Sequence, residues 1–312
     1  MIEQILKRLL ISIPVLFGVL FLGFGLLILV PGDPAIVMAG PTATPEVVAA
    51  IRAEMGLDDP VLVQFGNYLG RVLQGDLGRS LISNKTVVSE LAAAIGPTAE
   101  LMFACLIWSV PLGIGLGTLA AVWRGSLVDR AIMAISVAGV SLPIFFICLM
   151  MIQYLGVEWR LLPFIGRGGP LWTIDGLRHI ALPALSLGAI FIGPVARMTR
   201  SSVLEVLKLD HVRTARAKGL SETRVILRHG LRNALIPVVT LIGLQVGYLL
   251  GGAVVTESIF SFPGVGRLAV GAILSSDFPL AQGTILVLAL GFILINMIVD
   301  ILYVLLDPRV QA

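Results

Sequence analysis

Leu101-Met102-Phe103-Ala104-Cys105-Leu106-Ile107-Trp108-Ser109-Val110-Pro111-Leu112-Gly113-Ile114-Gly115-Leu116-Gly117-Thr118-Leu119-Ala120-Ala121-Val122 runs for 22 residues without a charged side chain. A helix crossing the roughly 30 Å hydrocarbon core of a bilayer needs about 20 apolar residues. Five further stretches read the same way: Leu9 to Val30, Ala131 to Leu155, Ile180 to Ala196, Leu235 to Thr256 and Leu280 to Leu306. The Ile180 to Ala196 stretch is the weakest, being short and holding Pro183 and Pro194. Proline is tolerated in a membrane helix where neighbouring groups satisfy the freed carbonyls. The pattern predicts an all-α, polytopic membrane protein with about six transmembrane helices.

Composition agrees. Apolar residues make up 57% of the 312 and charged residues 13%, against about a quarter charged in a soluble domain. Too little polar surface is available to solvate a globular fold of this length. Lys7 and Arg8 precede the first apolar stretch as in a signal peptide, but its core is long and ends at Pro31-Gly32-Asp33-Pro34 without a small-x-small cleavage site. It reads as a retained helix.

Cytoplasmic loops carry an excess of Lys and Arg. With the N-terminus inside, the inner segments hold Lys7, Arg8, Arg124, Arg130, the basic residues from Arg197 to Arg232 and Arg309, 14 in all, against 8 outside. Both termini are therefore assigned to the cytoplasm. The chain divides into a tail and first helix (1–30), an external cap region (31–97) and a core membrane domain (98–312) with a cytoplasmic loop at 197–236. Within the cap, Thr44 as N-cap and Glu46 in the first turn predict a helix over Pro45 to Met55.

Several function classes fall away. Cys105 and Cys148 lie inside apolar runs with no CxxC or Cys/His cluster, so neither zinc nor redox chemistry is indicated. No Gly-x4-Gly-Lys-Ser/Thr loop offers a phosphate cradle. The three histidines, His179, His211 and His229, form no HExxH motif, and no Gly-x-Ser-x-Gly elbow occurs. The chain is expected to be no enzyme, to hold no metal and no cofactor of its own, and to bind no nucleic acid, lacking a basic arm.

The segment Glu205 to Gly219 is the most informative. Val206, Leu209, Val212 or Arg213, and Ala217 fall near helical spacing, Gly219 suits a left-handed cap, and Ser221 can start a following helix through Leu235. A basic amphipathic helix can lie on anionic lipid. The apolar face here is thin, and small residues at Thr214, Ala215 and Ala217 favour close approach of another protein's backbone. Residue types alone leave both readings open.

Thr214-Ala215-Arg216-Ala217-Lys218-Gly219-Leu220-Ser221-Glu222 followed by Leu227-Arg228-His229-Gly230-Leu231-Arg232-Asn233-Ala234-Leu235-Ile236-Pro237 resembles the signature loop of binding-protein-dependent ABC importer permeases, in the version of the dipeptide, oligopeptide and nickel group. The generic signature begins Glu-Ala-Ala, where this chain has Arg213, Thr214 and Ala215; the peptide group shares that deviation. His211 stands where a tyrosine is expected. Leu29-Val30-Pro31-Gly32-Asp33-Pro34, Gly56-Leu57-Asp58-Asp59-Pro60, Gly75-Asp76-Leu77-Gly78-Arg79-Ser80, Glu257 to Leu268 with Asp277-Phe278-Pro279, and Leu306-Asp307-Pro308-Arg309 resemble further landmarks of the group.

The resemblance implies the type I importer permease fold and a multi-pass subunit of a bacterial or archaeal plasma membrane. It implies that Asp210, His211, Arg213, Thr214, Ala215, Arg216, Ala217, Lys218 and Gly219 form a coupling helix that docks on an ATPase. Its implied partners are a second, related permease in a heterodimer, two cytoplasmic ATPase subunits that use ATP and Mg, an external solute-binding protein, and membrane lipid. The cargo would be peptides or a related small solute, moved by alternating access. The alternative is an ion- or proton-coupled secondary carrier acting alone, which predicts inverted repeats and paired intramembrane ionisable residues.

Other residues stand out less. Asp300 lies inside the last apolar stretch with Asn296 one turn earlier, and reads as an interhelical or interfacial polar contact. Glu100 and Glu257 flank helices and read as interfacial. Gly113, Gly115 and Gly117, and Gly243, Gly247 and Gly251, permit close helix packing within or between subunits. No residue is assigned to the solute.

Overall fold

The computed structural model describes residues 2–29, 33–40 and 42–306. Parts of the Leu29 to Pro34 and Leu306 to Arg309 landmarks, and the side chain of Asp300, lie outside the described residues. Regular structure among those described is helical, apart from a lone bridge between Arg79 and Thr86. Contacts divide the chain into two units, one comprising Glu100–Phe260 and the chain from Leu294 onward, the other Ile2–Ala99 and Ser261–Ile293.

The second unit contains α1 (Ile2–Leu29), three short helices α2 (Pro34–Ala39), α3 (Pro45–Glu54) and α4 (Val61–Leu73), and the N-terminal part of α5 (Val87–Val122). Asp33 caps α2 by accepting the Ala35 N–H at 3.0 Å. Arg52 of α3 bridges Asp33 and Asp58 at 2.5 and 2.6 Å. The α3 helix begins where Thr44 and Pro45 predict and ends one residue early, with Met55 as its C-cap. In α4, Phe65 and Tyr68 turn inward on Leu20 and Phe24 of α1.

The first unit is built around α8 (Ile174–Val206), packed by α6 (Leu127–Ser141), α7 (Ile144–Met151) and α11 (Arg232–Ile259). The stretch that looked weakest as a span is thus a continuous 33-residue helix and the most buried of the four long apolar helices. Flanking polar residues extend it beyond its apolar part, and tertiary packing, not an unbroken apolar face, holds it. Ser186 donates to the Leu182 carbonyl at 2.9 Å. Ser109 and Thr118 of α5, and Thr240, Thr256 and Ser258 of α11, likewise each donate to the carbonyl four residues earlier in their own helix.

Glycines set the closest approaches. A methyl group on Gly113 would overlap Val195, and one on Gly117 would overlap the Ala196 carbonyl and Thr199, whereas Gly115 faces open space. Gly243 meets Val299 of α12 (Phe278–Leu306) and Gly247 is buried, but Gly251 is exposed with nothing beside it.

Four helices are long and apolar enough to span: those at Val87–Val122, Ile174–Val206, Glu222–Ile259 and Phe278–Val299. The apolar stretch from Ala131 to Leu155 is not one straight helix. It is α6 and α7, extended by a π-helical segment Ile152–Glu158, bent by 103° at Leu142-Pro143. Pro143 has no N–H to give, and its ring forces Leu142 into an extended conformation, φ −82° and ψ 130°. Six straight spans are therefore not found among the described residues: the bent pair makes a fifth only if its two arms are taken as one broken span, and the first expected stretch lies in α1, whose described apolar core, Leu10–Gly25, is shorter than a span.

Candidate functional site

The segment between α8 and α11 folds into a small module. Its first helix, α9 (Asp210–Ala217), ends at Lys218, and Gly219 turns the chain with φ +76°. That left-handed conformation suits glycine, and the N–H of Leu220 reaches back to the Ala215 carbonyl at 3.4 Å. A one-turn helix α10 (Glu222–Arg224) and a second π-helical segment, Val225–Leu231, lead into α11. Ser221 occupies the N-cap position of α10, though its hydroxyl makes no capping bond.

Two contacts hold the module closed. Val212, Ala215 and Val225 are buried together, with Val206, Leu207 and Leu220 packed around them. Across the turn, Arg216 and Glu222 pair at 2.6 Å, and the carboxylate raises the pKa of the guanidinium above its ordinary value. The pair is half exposed and worth little alone. Its geometric effect is to clasp α9 to α10.

The nine expected coupling residues do not share one environment. Asp210, His211, Arg213, Thr214, Arg216, Ala217, Lys218 and Gly219 are exposed. Ala215 is not: it is 5% exposed and packs on the module's own Val212 and Val225, so the expectation that it is small to admit another protein is corrected. Helical periodicity is the reason, since 212 and 215 share a face that the chain itself covers. His211 also looks inward in part. Its Nε2 lies 3.2 Å from the side-chain amide of Asn233, which donates to the His229 carbonyl at 3.1 Å.

The module sits on a firm base. Ala121 of α5, Val203 of α8 and Ala234 of α11 are buried in one cluster with Leu204, Val206, Leu207 and Leu231. Nearby along α8, Arg200 donates to both carboxylate oxygens of Asp129 at 2.6 and 2.8 Å. Asp129 also accepts the Gly125 N–H at 2.9 Å, and Ser126 caps α6 by accepting the Asp129 N–H. The residue pattern had not flagged this ion pair, because the partners lie 71 positions apart. At the opposite end of α8, Arg167 pairs with Glu100 at 2.7 Å. Among the described residues no group of three or more His, Cys, Asp or Glu could hold a metal ion.

Comparison with known proteins agrees with this architecture. Residues 113–312 match the family described as "Binding-protein-dependent transport system inner membrane component", and residues 1–93 match the N-terminal region of such membrane components. The glutathione transport system permease protein GsiC of Salmonella choleraesuis (strain SC-B67) is 46% identical over 311 residues, covering 100% of this chain and 99% of the relative. The GsiC protein of Escherichia coli (strain K12) is 45% identical with the same coverage. A chain of the MetNI methionine ABC transporter, solved in inward-facing conformations, shares the fold with a TM-score of 0.58 at 19% identity, over 70% of this chain and 97% of that one. Such a permease works with a partner permease, an ATPase that hydrolyses ATP, and a binding protein. The chain belongs to the family of inner-membrane components of binding-protein-dependent transport systems, as a multi-pass permease subunit of an ABC importer with the type I fold.

Proposed function

We propose that this chain forms half of a translocation pathway for peptides or a related small solute, with α9 as the helix that receives an ATPase. The observation that carries the reading is the prefolded module, whose inner face is covered by its own chain while eight of the nine candidate residues stay exposed. A helix lying on lipid would turn its apolar side outward; here Val212 is fully buried. Full-length similarity to glutathione permeases supports a peptide-like cargo. The partner permease would be related but different, two ATPases would sit on the cytoplasmic side, and a binding protein would deliver solute outside. ATP binding closes the ATPases, and the module carries that movement into alternating access, which shifts only as far as the two states differ in affinity.

Ala217→Glu tests the docking face. Ala217 is exposed, so the variant folds and inserts normally, and the added bulk and charge matter only where a partner covers the site. ATPase co-purification and uptake are expected to fall together. Gly219→Val acts differently, since no atom lies within 4 Å of an added Cβ. Its cost is conformational, about 1 to 3 kcal/mol, and it should loosen the turn with the same loss of uptake. Normal ATPase association and transport by Ala217→Glu would return α9 to the lipid-surface reading.

The proposed orientation places both termini and the α9 module in the cytoplasm, with α3 outside. Thr44→Cys, Arg124→Cys and Thr223→Cys, each exposed, are made in a chain lacking Cys105 and Cys148 and treated with an impermeant thiol reagent on intact cells. Only Thr44→Cys should label. Labelling of the other two without it reverses the topology.

A further inference from the structure

The turn between the Ile152–Glu158 π-helical segment and α8 holds a second arrangement that the transport reading does not use. Its inner residues are anchored. Leu162 and Phe164 pack on the buried cluster of Cys148, Leu182 and Phe260, the Gly166 N–H bonds to the Phe260 carbonyl at 2.9 Å, and Arg167 is paired with Glu100. Neighbouring residues point outward: Leu161 is 63% and Ile165 64% exposed, and the same connection carries Trp159 at 62% and Trp172 at 82%. The turn is therefore a fixed surface carrying large apolar side chains that its own unit does not cover.

An open cavity of about 590 Å³ is set into this surface, lined by Gly156, Arg160, the 161–165 strip and Arg178. Both arginines line it with no acidic residue among the lining, and neither makes an ion pair or side-chain hydrogen bond among the described residues. Arg160 has φ +50°, in the left-handed region that side chains other than glycine rarely adopt. An anion seated between these two arginines would gain a charge-assisted bond from each, with no carboxylate in the lining to compete for them.

We propose that this cavity seats the phosphate headgroup of an anionic membrane phospholipid, with Arg160 and Arg178 as its ligands. A guanidinium fork matches phosphate oxygens. Tryptophan is a side chain that settles at the headgroup level of a bilayer, and the exposed Leu161, Ile165 and Ile174 offer apolar contact to the acyl chains of such a lipid. Free phosphate offers the same anion but nothing for those apolar side chains to contact. This site is independent of the α9 module and of the identity of the solute.

The full-length chain, purified in detergent with whatever subunits accompany it, is incubated with dioctanoyl-phosphatidylglycerol, dioctanoyl-phosphatidylcholine or inorganic phosphate. Retained lipid is read by native mass spectrometry and melting temperature by fluorescence. Phosphatidylglycerol should be retained and raise the melting temperature, while phosphatidylcholine and inorganic phosphate do so weakly. The double variant Arg160→Gln, Arg178→Gln should retain about tenfold less phosphatidylglycerol or lower still, whereas Arg130→Gln, an exposed arginine elsewhere, should match the parent. Equal retention by the double variant overturns the site. An equal effect of inorganic phosphate, or loss of the cavity to a co-purifying subunit in a crosslink from Trp172→Cys, overturns the lipid assignment.

Discussion

Gly117→Leu is expected to separate α5 from α8 and abolish uptake. A Cβ at 117 meets the Ala196 carbonyl and the Thr199 Cβ, and Gly113 one turn earlier meets Val195 in the same way. Val195, Ala196 and Thr199 are all fully buried. Overpacking a core commonly costs about 1 to 3 kcal/mol where side chains can shift; here the obstacle is backbone inside a long helix, so the cost lies at or above the upper end. Melting temperature in detergent and the amount of chain in the membrane report it. Gly115→Leu is the control, because its Cβ would enter open space and the variant should behave as the parent. A Gly117→Leu protein that melts and transports normally would mean that α5 and α8 do not share this seam.

Phe65→Ala should release α4 from α1. Phe65 is 7% exposed, and its ring lies 5.3 to 5.6 Å from those of Phe17, Phe21 and Phe24, which form one stripe on α1, with Tyr68 stacked on Phe24 beside it. Truncating a buried phenylalanine costs about 3 to 5 kcal/mol through lost burial and the cavity left behind. Because α4 makes few other buried contacts, only Phe65 and Tyr68 being buried in it, the loss is concentrated in that element. Limited proteolysis should cut near α4 in the variant well before the rest of the chain. Val63→Ala, on the exposed side of α4, should leave the digestion pattern unchanged.

What could be read ahead of the structure depended on how local its cause was. The turn at Gly219 was legible because chirality acts on a single residue, and four of the six expected spans were legible because lipid demands long apolar runs. Pro143 was equally visible, but its 103° bend depends on whether neighbours compensate for the missing N–H, which proline alone does not tell; Pro183 and Pro194 sit inside an unbroken helix. Ala215 carried the right signal for close packing and the wrong partner, since a small side chain does not reveal whose backbone approaches it. Glu100 was read as interfacial with no partner in view, and its pairing with Arg167 spans 67 positions. The Asp129–Arg200 pair is the same case: opposite charges far apart in the chain attract notice only once helices bring them together. The α4 helix went unread because its inward face needs α1 to be meaningful.

The hydroxyls of the long helices have a consequence for motion. Ser109, Thr118, Ser186, Thr240, Thr256 and Ser258 each spend their donor on their own helix. None of those bonds must break when one helix glides along another. In hydrocarbon a severed interhelical hydrogen bond has no water to replace it, so each latch of that kind would add to the barrier between conformations. Contacts made by shape alone behave as bearings, yielding gradually as methyl groups ride over the small residues at the seams. Polar fastenings do exist, from the Trp108 indole N–H of α5 to the Ala184 carbonyl of α8 at 3.1 Å and, where α6 must follow α8, at Asp129 and Arg200. The bundle is thus lubricated where its hydroxyls are satisfied within their own helices and pinned where side chains bond across from one helix to another.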